Sequence, residues 1–356
     1  PMVLRTDAEA AQTEVWLGSI PVCVELAASS LVASSAPRPL WVLVPRVAYV
    51  ASFAGDVADH FRDSVAEVST TLADAVWFAE RDDDDASIPT TTREAVDPFA
   101  RLPAGALFDS ARRRDVPWRL VAHFSARRRL PAATPASSSS SPASSSPGPT
   151  AAARVDEDSC ERRFFHALKQ ATHLEHGTAR SVLSMPRVDQ AALWRAVCAG
   201  DRAGYAARDV KGVVSGPLES PLRHVPLRVV VPPTSRTRGR VVAQLPHSAY
   251  DAAAGRKRTL GDCVEAVLRV LASRRAAQDG GEQDESGSAV AGGAAGTKRN
   301  WTLRVHGVDD VDPDLPLLEA WKALRHADHF LYVVVVVVRN NPGNLEERKK
   351  EEQSSL

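Results

Sequence analysis

Residues 131–153 contain only Pro, Ala, Ser, Thr and Gly. Such a stretch cannot bury enough apolar surface to offset the entropy of ordering its backbone, so it reads as a flexible linker. The 356-residue chain must therefore be assembled from separate blocks on either side of it. A second stretch, 276–298, is rich in Gly, Ala and acidic or amide side chains and reads as a disordered insertion. The end of the chain, 339–356, carries the run Glu346-Glu347-Arg348-Lys349-Lys350-Glu351-Glu352 and reads as a charged, solvated tail. These breaks leave a first block over 12–130, a linker over 131–155, a middle block over 156–212 and a last block over 221–338 that the insertion splits.

Within the first block, apolar runs either side of Gly18-Ser19 predict a hairpin. An apolar stretch over 40–50 leads into Asp56-Val57-Ala58-Asp59-His60-Phe61, whose acidic start and apolar spacing predict a helix. A strand over 75–79, a short apolar segment after Pro103 and a strand over 118–124 complete the block. The last block repeats that order. Runs over 225–231 and 241–245 predict a hairpin, and Leu260, Val264, Val267, Leu268 and Leu271 form one stripe of a helix. A strand over 301–305, a segment after Pro316 and the run 330–338 follow. Six consecutive valines in that last run predict a strand buried on both faces, and the run is far short of the ~20 residues of a membrane-spanning helix. The pattern fits an α+β chain in which a small mixed sheet wraps round one helix twice, the ubiquitin-like β-grasp architecture. The middle block is helical instead. Asp158 and Glu161 have capping-box spacing, Phe164, Phe165, Leu168 and Ala171 follow at helical intervals, and Gly177 ends the run. Helices over 189–199 and 201–209 follow.

Composition narrows the function. Forty-four cations balance 44 anions, which removes any global electrostatic case for coating nucleic acid or membrane. The four cysteines are scattered with no C-x-x-C pair, so reduced thiols are expected, and the first 14 residues show no secretory signal. No G-x-S-x-G, H-E-x-x-H or complete Walker A motif occurs, so no catalytic residue, metal or cofactor is called for. His173 with His176, and His326 with His329, read as solvated helix histidines rather than metal ligands. The run Asp82 to Asp85 reads as a solvated loop. Three basic clusters, Arg112-Arg113-Arg114, Arg127-Arg128-Arg129 and Arg256-Lys257-Arg258, lack interleaved aromatics and read as loop charge, with anionic lipid the next reading and nucleic acid not expected.

Only seven of the cations are lysines, and the first is Lys169. On a helix its neighbours at three and four residues are His166, Thr172, Phe165 and His173. Spacing alone makes it a lysine whose stem packs on Phe165 and whose ammonium reaches water.

Several short segments, in order, resemble the autophagy protein 5 family: Val15-Trp16-Leu17-Gly18-Ser19-Ile20-Pro21, Leu43-Val44-Pro45-Arg46-Val47-Ala48-Tyr49, Val76-Trp77-Phe78 and Pro117-Trp118-Arg119-Leu120-Val121-Ala122-His123-Phe124. His224-Val225-Pro226-Leu227-Arg228, Thr259-Leu260-Gly261-Asp262, Val305-His306-Gly307-Val308 and Asp328-His329-Phe330-Leu331 continue the match. The resemblance implies two ubiquitin-like domains flanking a helix-rich domain, and an autophagy scaffold without catalysis of its own. It implies that a lysine of the helical domain is joined by an isopeptide bond to the C-terminal glycine of the ubiquitin-like autophagy protein 12. The family's pattern carries onto Phe164 and Lys169, with Glu161 at an acidic position two turns earlier. A lysine with the reference pKa near 10.4 is a free amine roughly once in a few thousand molecules at pH 7, so the nucleophile needs help.

Further expectations come with the resemblance. The conjugate binds autophagy protein 16 in a groove between domains, where Trp194 and the 224–228 segment are the residues to look at. Conjugating-enzyme machinery supplies the catalytic cysteines. The assembly acts as a ligase-like complex that promotes lipidation of autophagy protein 8 with phosphatidylethanolamine during autophagosome formation. Its place is cytoplasmic and peripheral at the pre-autophagosomal isolation membrane. The competing reading is an unmodified tandem ubiquitin-like adaptor that binds a protein partner non-covalently.

Overall fold

Ala11, Val15 and Trp16 share one buried stripe, and Ala8–Leu17 is accordingly a helix, α1, rather than the first arm of a hairpin. The strand after Gly18, β1 (Ser19–Leu26), pairs instead with β2 (Leu40–Pro45), antiparallel and with Cys23 opposite Trp41. The structure is a computed structural model and describes residues 8–65, 76–81, 95–96, 102–111, 114–124, 157–209, 222–232, 240–278 and 299–337. The linker, the Asp82 to Asp85 run, Arg112, Arg113, the Arg127 cluster, the tail and most of the insertion lie outside those residues.

Helix α2 (Ala54–Phe61) lays Val57, Ala58 and Phe61 on the first sheet. Strands β3 (Val76–Glu80) and β4 (Ala95–Val96), the short helix α3 (Ala104–Asp109) and strand β5 (Trp118–Phe124) complete the domain. The strand order is β2-β1-β5-β3-β4, and the central pair β1 and β5 runs parallel. The helical domain holds α4 (Glu157–His176), α5 (Arg180–Leu183), α6 (Arg187–Ala199) and α7 (Arg202–Asp209). Its first helix is already formed at Glu157, so Asp158 lies inside the first turn and not at the cap. Gly177 and Gly200 follow α4 and α6 with φ of 76° and 67°, the left-handed turn that ends a helix.

The last domain contains β6 (Leu227–Val231), β7 (Val241–Gln244), the small ladder of β8 (Tyr250–Asp251) and β9 (Arg256–Lys257), helix α8 (Leu260–Gln278), β10 (Trp301–Arg304), α9 (Leu317–Leu324) and β11 (Leu331–Val337). Helix α8 runs three residues into the stretch expected to be an insertion. A reciprocal cap starts it: Asp262 N–H donates to Thr259 Oγ1 at 3.2 Å and Thr259 N–H to Asp262 Oδ2 at 2.9 Å. The order β10-β11-β6-β7, with β6 and β11 parallel, repeats the centre of the first sheet.

The valine run explains how the domains join. Leu331, Val333 and Val335 pack on α8 residues Leu260, Val264 and Val267, while Tyr332 and Val334 join the first domain's core with Val22, Phe78 and Leu107. Alternating side chains of one strand thus enter two different cores, which is why neither face carries a charged side chain. At the other end of the chain, Gln12 of α1 donates to the carbonyls of Ala323 and Arg325 at the end of α9, at 3.0 and 3.1 Å.

Candidate acceptor site and domain junction

Helix α4 has a sharply divided surface. Cys160, Phe164, Phe165, Leu168, Ala171 and Thr172 are buried, whereas Arg162, His166 and His173 are exposed and Lys169 is half-buried on the same stripe. Phe164 meets Tyr49 and Trp194 edge-on or tilted, with ring centroids 6.3 and 5.7 Å apart, so the helix is clamped between the first domain and α6. Lys169 has no hydrogen-bond or ion-pair partner among the described residues. Lys257, by contrast, donates to Glu319 at 2.8 Å.

The residue after Lys169 ties the helix to the last domain. Gln170 Oε1 accepts from Arg228 Nη2 at 3.0 Å, while Arg228 Nη1 donates to the Tyr332 hydroxyl at 2.9 Å and Nε to Gln244 Oε1 at 3.2 Å. Tyr332 in turn donates to Asp328 Oδ2 at 2.5 Å, and Asp328 Oδ1 accepts the Phe330 N–H at 3.1 Å. The Arg228 guanidinium also lies 3.7 Å from the Phe330 ring centroid. Burial pushes the Tyr49 and Tyr332 hydroxyls well up, which keeps both protonated as donors. Burial also pushes the Asp328 carboxyl up, opposed by Arg228 and by the hydroxyl and amide that donate to it. At the end of α4 the carbonyls of Glu175 and Leu174, orphaned by the helix terminus, accept from Arg223 and His224 at 2.9 and 3.1 Å. The Glu175 carboxylate, itself buried, meets His329 Nδ1 at 3.0 Å.

A second knot joins the two sheet domains directly. Asp109, at the end of α3, accepts from Arg46 Nη2 at 2.5 Å and from the Gly307 N–H at 2.7 Å. Its carbonyl accepts from Arg304 Nη1 at 2.5 Å. His306 Nε2 lies 2.7 Å from the Leu324 carbonyl, a contact that requires the proton on Nε2, and His326 stacks on His306 with centroids 5.6 Å apart and planes 5° apart. Desolvation holds both imidazoles far below their ordinary range, to about 3. Gly307 is needed here for two reasons. Its φ is 82°, and a Cβ would stand 3.1 Å from the Arg46 guanidinium. Gly307→Ala is expected to cost about 1–2 kcal/mol, read as a lower urea midpoint with an unchanged slope.

Several expected site features are corrected by these contacts. Trp194 is buried among Tyr49 and Phe164, and in the 224–228 segment Val225, Leu227 and Arg228 are also buried. Of that segment only His224 keeps partial exposure. His326 and His329 are on a buried turn rather than a solvated helix, because both rings serve as interdomain contacts. The third basic cluster is neutralised side chain by side chain: Arg256 by Asp262, Lys257 by Glu319 and Arg258 by Asp251, and Arg114 of the first cluster pairs with Asp309. The Arg228 knot was not anticipated. Its signal was a lone arginine between Leu227 and Val229 in an otherwise apolar strand.

Among the described residues no group of three or more His, Cys, Asp or Glu side chains is placed to hold a metal ion, and no helix is long and apolar enough to cross a membrane. Burial pushes the Cys263 thiol up to about 12 and raises that of Cys23, away from nucleophilic reactivity.

Comparison with known proteins places this geometry. Residues 15–124 match the family model described as autophagy protein ATG5, UblA domain; 157–207 match its alpha-helical bundle region; and 224–335 match its UblB domain. Among curated relatives, autophagy protein 5 of Arabidopsis thaliana is 27% identical over 192 residues, which are 54% of this chain and 46% of that protein. The Aspergillus oryzae protein is 24% identical over 62% of this chain and 65% of its own length, and the Aspergillus terreus protein 25% identical over 74% and 84%. The match thus spans about half the length of the plant relative and under two thirds of the A. oryzae protein. The crystal structure of Kluyveromyces marxianus Atg5 superposes with a TM-score of 0.60 at 16% identity, covering 92% of this chain and 99% of that one, a likeness of fold. With all three domain models matched in order around a fold of two ubiquitin-like sheets and a helical bundle, the chain belongs to the autophagy protein 5 family.

Proposed function

We propose that this chain works in autophagy as the non-catalytic acceptor of a ubiquitin-like conjugation system, with Lys169 joined by an isopeptide bond to autophagy protein 12. One observation carries the assignment: Lys169 is an unpaired amine on the solvent stripe of a helix whose opposite face is locked into the core. An acceptor must be rigid at its backbone and free at its nitrogen, and α4 supplies both. The same reading takes in autophagy protein 16 as a partner, promotion of autophagy protein 8 lipidation with phosphatidylethanolamine, and a peripheral place on the isolation membrane from the cytoplasmic side.

Lys169→Arg separates acceptor from adaptor, since arginine keeps the charge and lacks the amine nucleophile. In the native cell, wild type is expected to show a band heavier by one ubiquitin-like modifier, and the variant to lose it completely. Lipidation of autophagy protein 8 is expected to fall with it. A wild-type chain found only at its own mass would leave the unmodified adaptor as the function.

A further inference from the structure

Resting on the assignment of Lys169 as acceptor, we propose that His166 takes up the proton released when the Lys169 amine attacks the thioester of the incoming modifier. The two residues occupy the same stripe of α4, three positions apart, so their Cβ atoms stand about 5–6 Å from each other. A helical side chain leans over the turn N-terminal to its own Cα. Lys169 therefore reaches back toward Phe165 and His166, of which Phe165 is buried and His166 exposed. His173, one turn later, leans the same way and flanks the lysine stem rather than its end.

Neither imidazole has a hydrogen-bond or ion-pair partner among the described residues, and both side chains are exposed. Between Arg162 and His173 the stripe carries no carboxylate to do the task instead. Other charges near His166 are Arg162 and Arg163 one turn earlier and Lys169 and His173 after it. Of the elements packed on α4, the turn over 50–53 has no titratable side chain, α5 carries Arg180, and α6 carries Arg187, Asp189, Arg195 and Cys198. Glu175, Arg228, Asp328 and Tyr332 lie on the buried side.

The step balances without an added reagent. The ammonium first loses one proton to water, and the neutral nitrogen then attacks the thioester carbonyl. As the C–N bond forms and the C–S bond breaks, sulfur leaves as the conjugating enzyme's thiolate. The second nitrogen proton passes to the imidazole and from there to water. Imidazole suits this relay because its ordinary titration lies nearest neutrality.

The test is single-turnover transfer from the thioester-charged conjugating enzyme to the full chain, followed from about pH 5.5 to 8. His166→Gln is expected to slow transfer roughly tenfold at neutral pH, with the difference shrinking toward the acid end, where an imidazole no longer accepts a proton. Added imidazole is expected to restore transfer to His166→Ala, and His173→Gln to follow the wild-type profile. Superposable pH–rate profiles for wild type and His166→Gln, or no rescue by imidazole, overturn the role of His166 while leaving Lys169 as acceptor. A wild-type chain that forms no adduct overturns both.

Discussion

Arg228→Met is expected to lower unfolding free energy by about 4 kcal/mol, the cost of leaving a buried carboxylate without its countercharge. The guanidinium donates to Tyr332, Gln170 and Gln244, and a single truncation strands all three acceptors together with Asp328. Arg228→Lys keeps the charge but not the planar fork, so it should recover only part of the loss. Adding Asp328→Asn to Arg228→Met removes the stranded charge, and the double variant should be less destabilised than the sum of the two singles. Denaturant midpoints for the four proteins measure this directly. Strict additivity would mean that Arg228 and Asp328 do not act as one unit.

The second large effect is a loss of stability in mild acid. His306 and His326 titrate near 3 in the folded chain, against an ordinary 6.5. Between those values the unfolded chain binds more protons, so unfolding becomes easier as pH falls through about 6.5 and continues to become so down to about 3. At about 1.4 kcal/mol per pH unit for each ring, moving from about pH 7.5 to 5 should cost on the order of 3–4 kcal/mol. His247, held at about 4 by burial beside Arg258, adds to the same limb. Asp262 behaves oppositely: lowered to about 2 chiefly by its hydrogen bond from Arg256, it contributes stability above about 4 that disappears only at lower pH. A melting temperature flat from about pH 7.5 to 5 would contradict the buried-imidazole account, and His306→Gln with His326→Gln should flatten the slope.

The repeated order of strands and helices was legible because apolar spacing is a local property, visible over four to eight residues around Val57 or Val264. Helix α1 is hidden in the sequence because Gly18 suggests a hairpin turn, whereas the burial of Val15 and Trp16 is fixed by contact with distant parts of the chain. The junction was less legible still. Gln12 and Ala323 are separated by 311 positions, and Arg46 and Asp109 by 63, so periodicity carries no trace of either pairing. Trp194 illustrates the other limit: a large aromatic on a helix serves a core or a groove equally well until its neighbours Tyr49 and Phe164 are known. Lys169 came from resemblance, since nothing in its spacing separates an acceptor from any other half-exposed lysine.

Strand β11 has a consequence for how the chain must be made. Its Tyr332 and Val334 complete the core that Ile20 and Val22 begin, more than 300 residues earlier in synthesis. The first domain is therefore translated early and finished late. Until residues 331–337 leave the ribosome, two apolar surfaces wait for the same strand, and the nascent chain needs that strand before either can be fully shielded from aggregation.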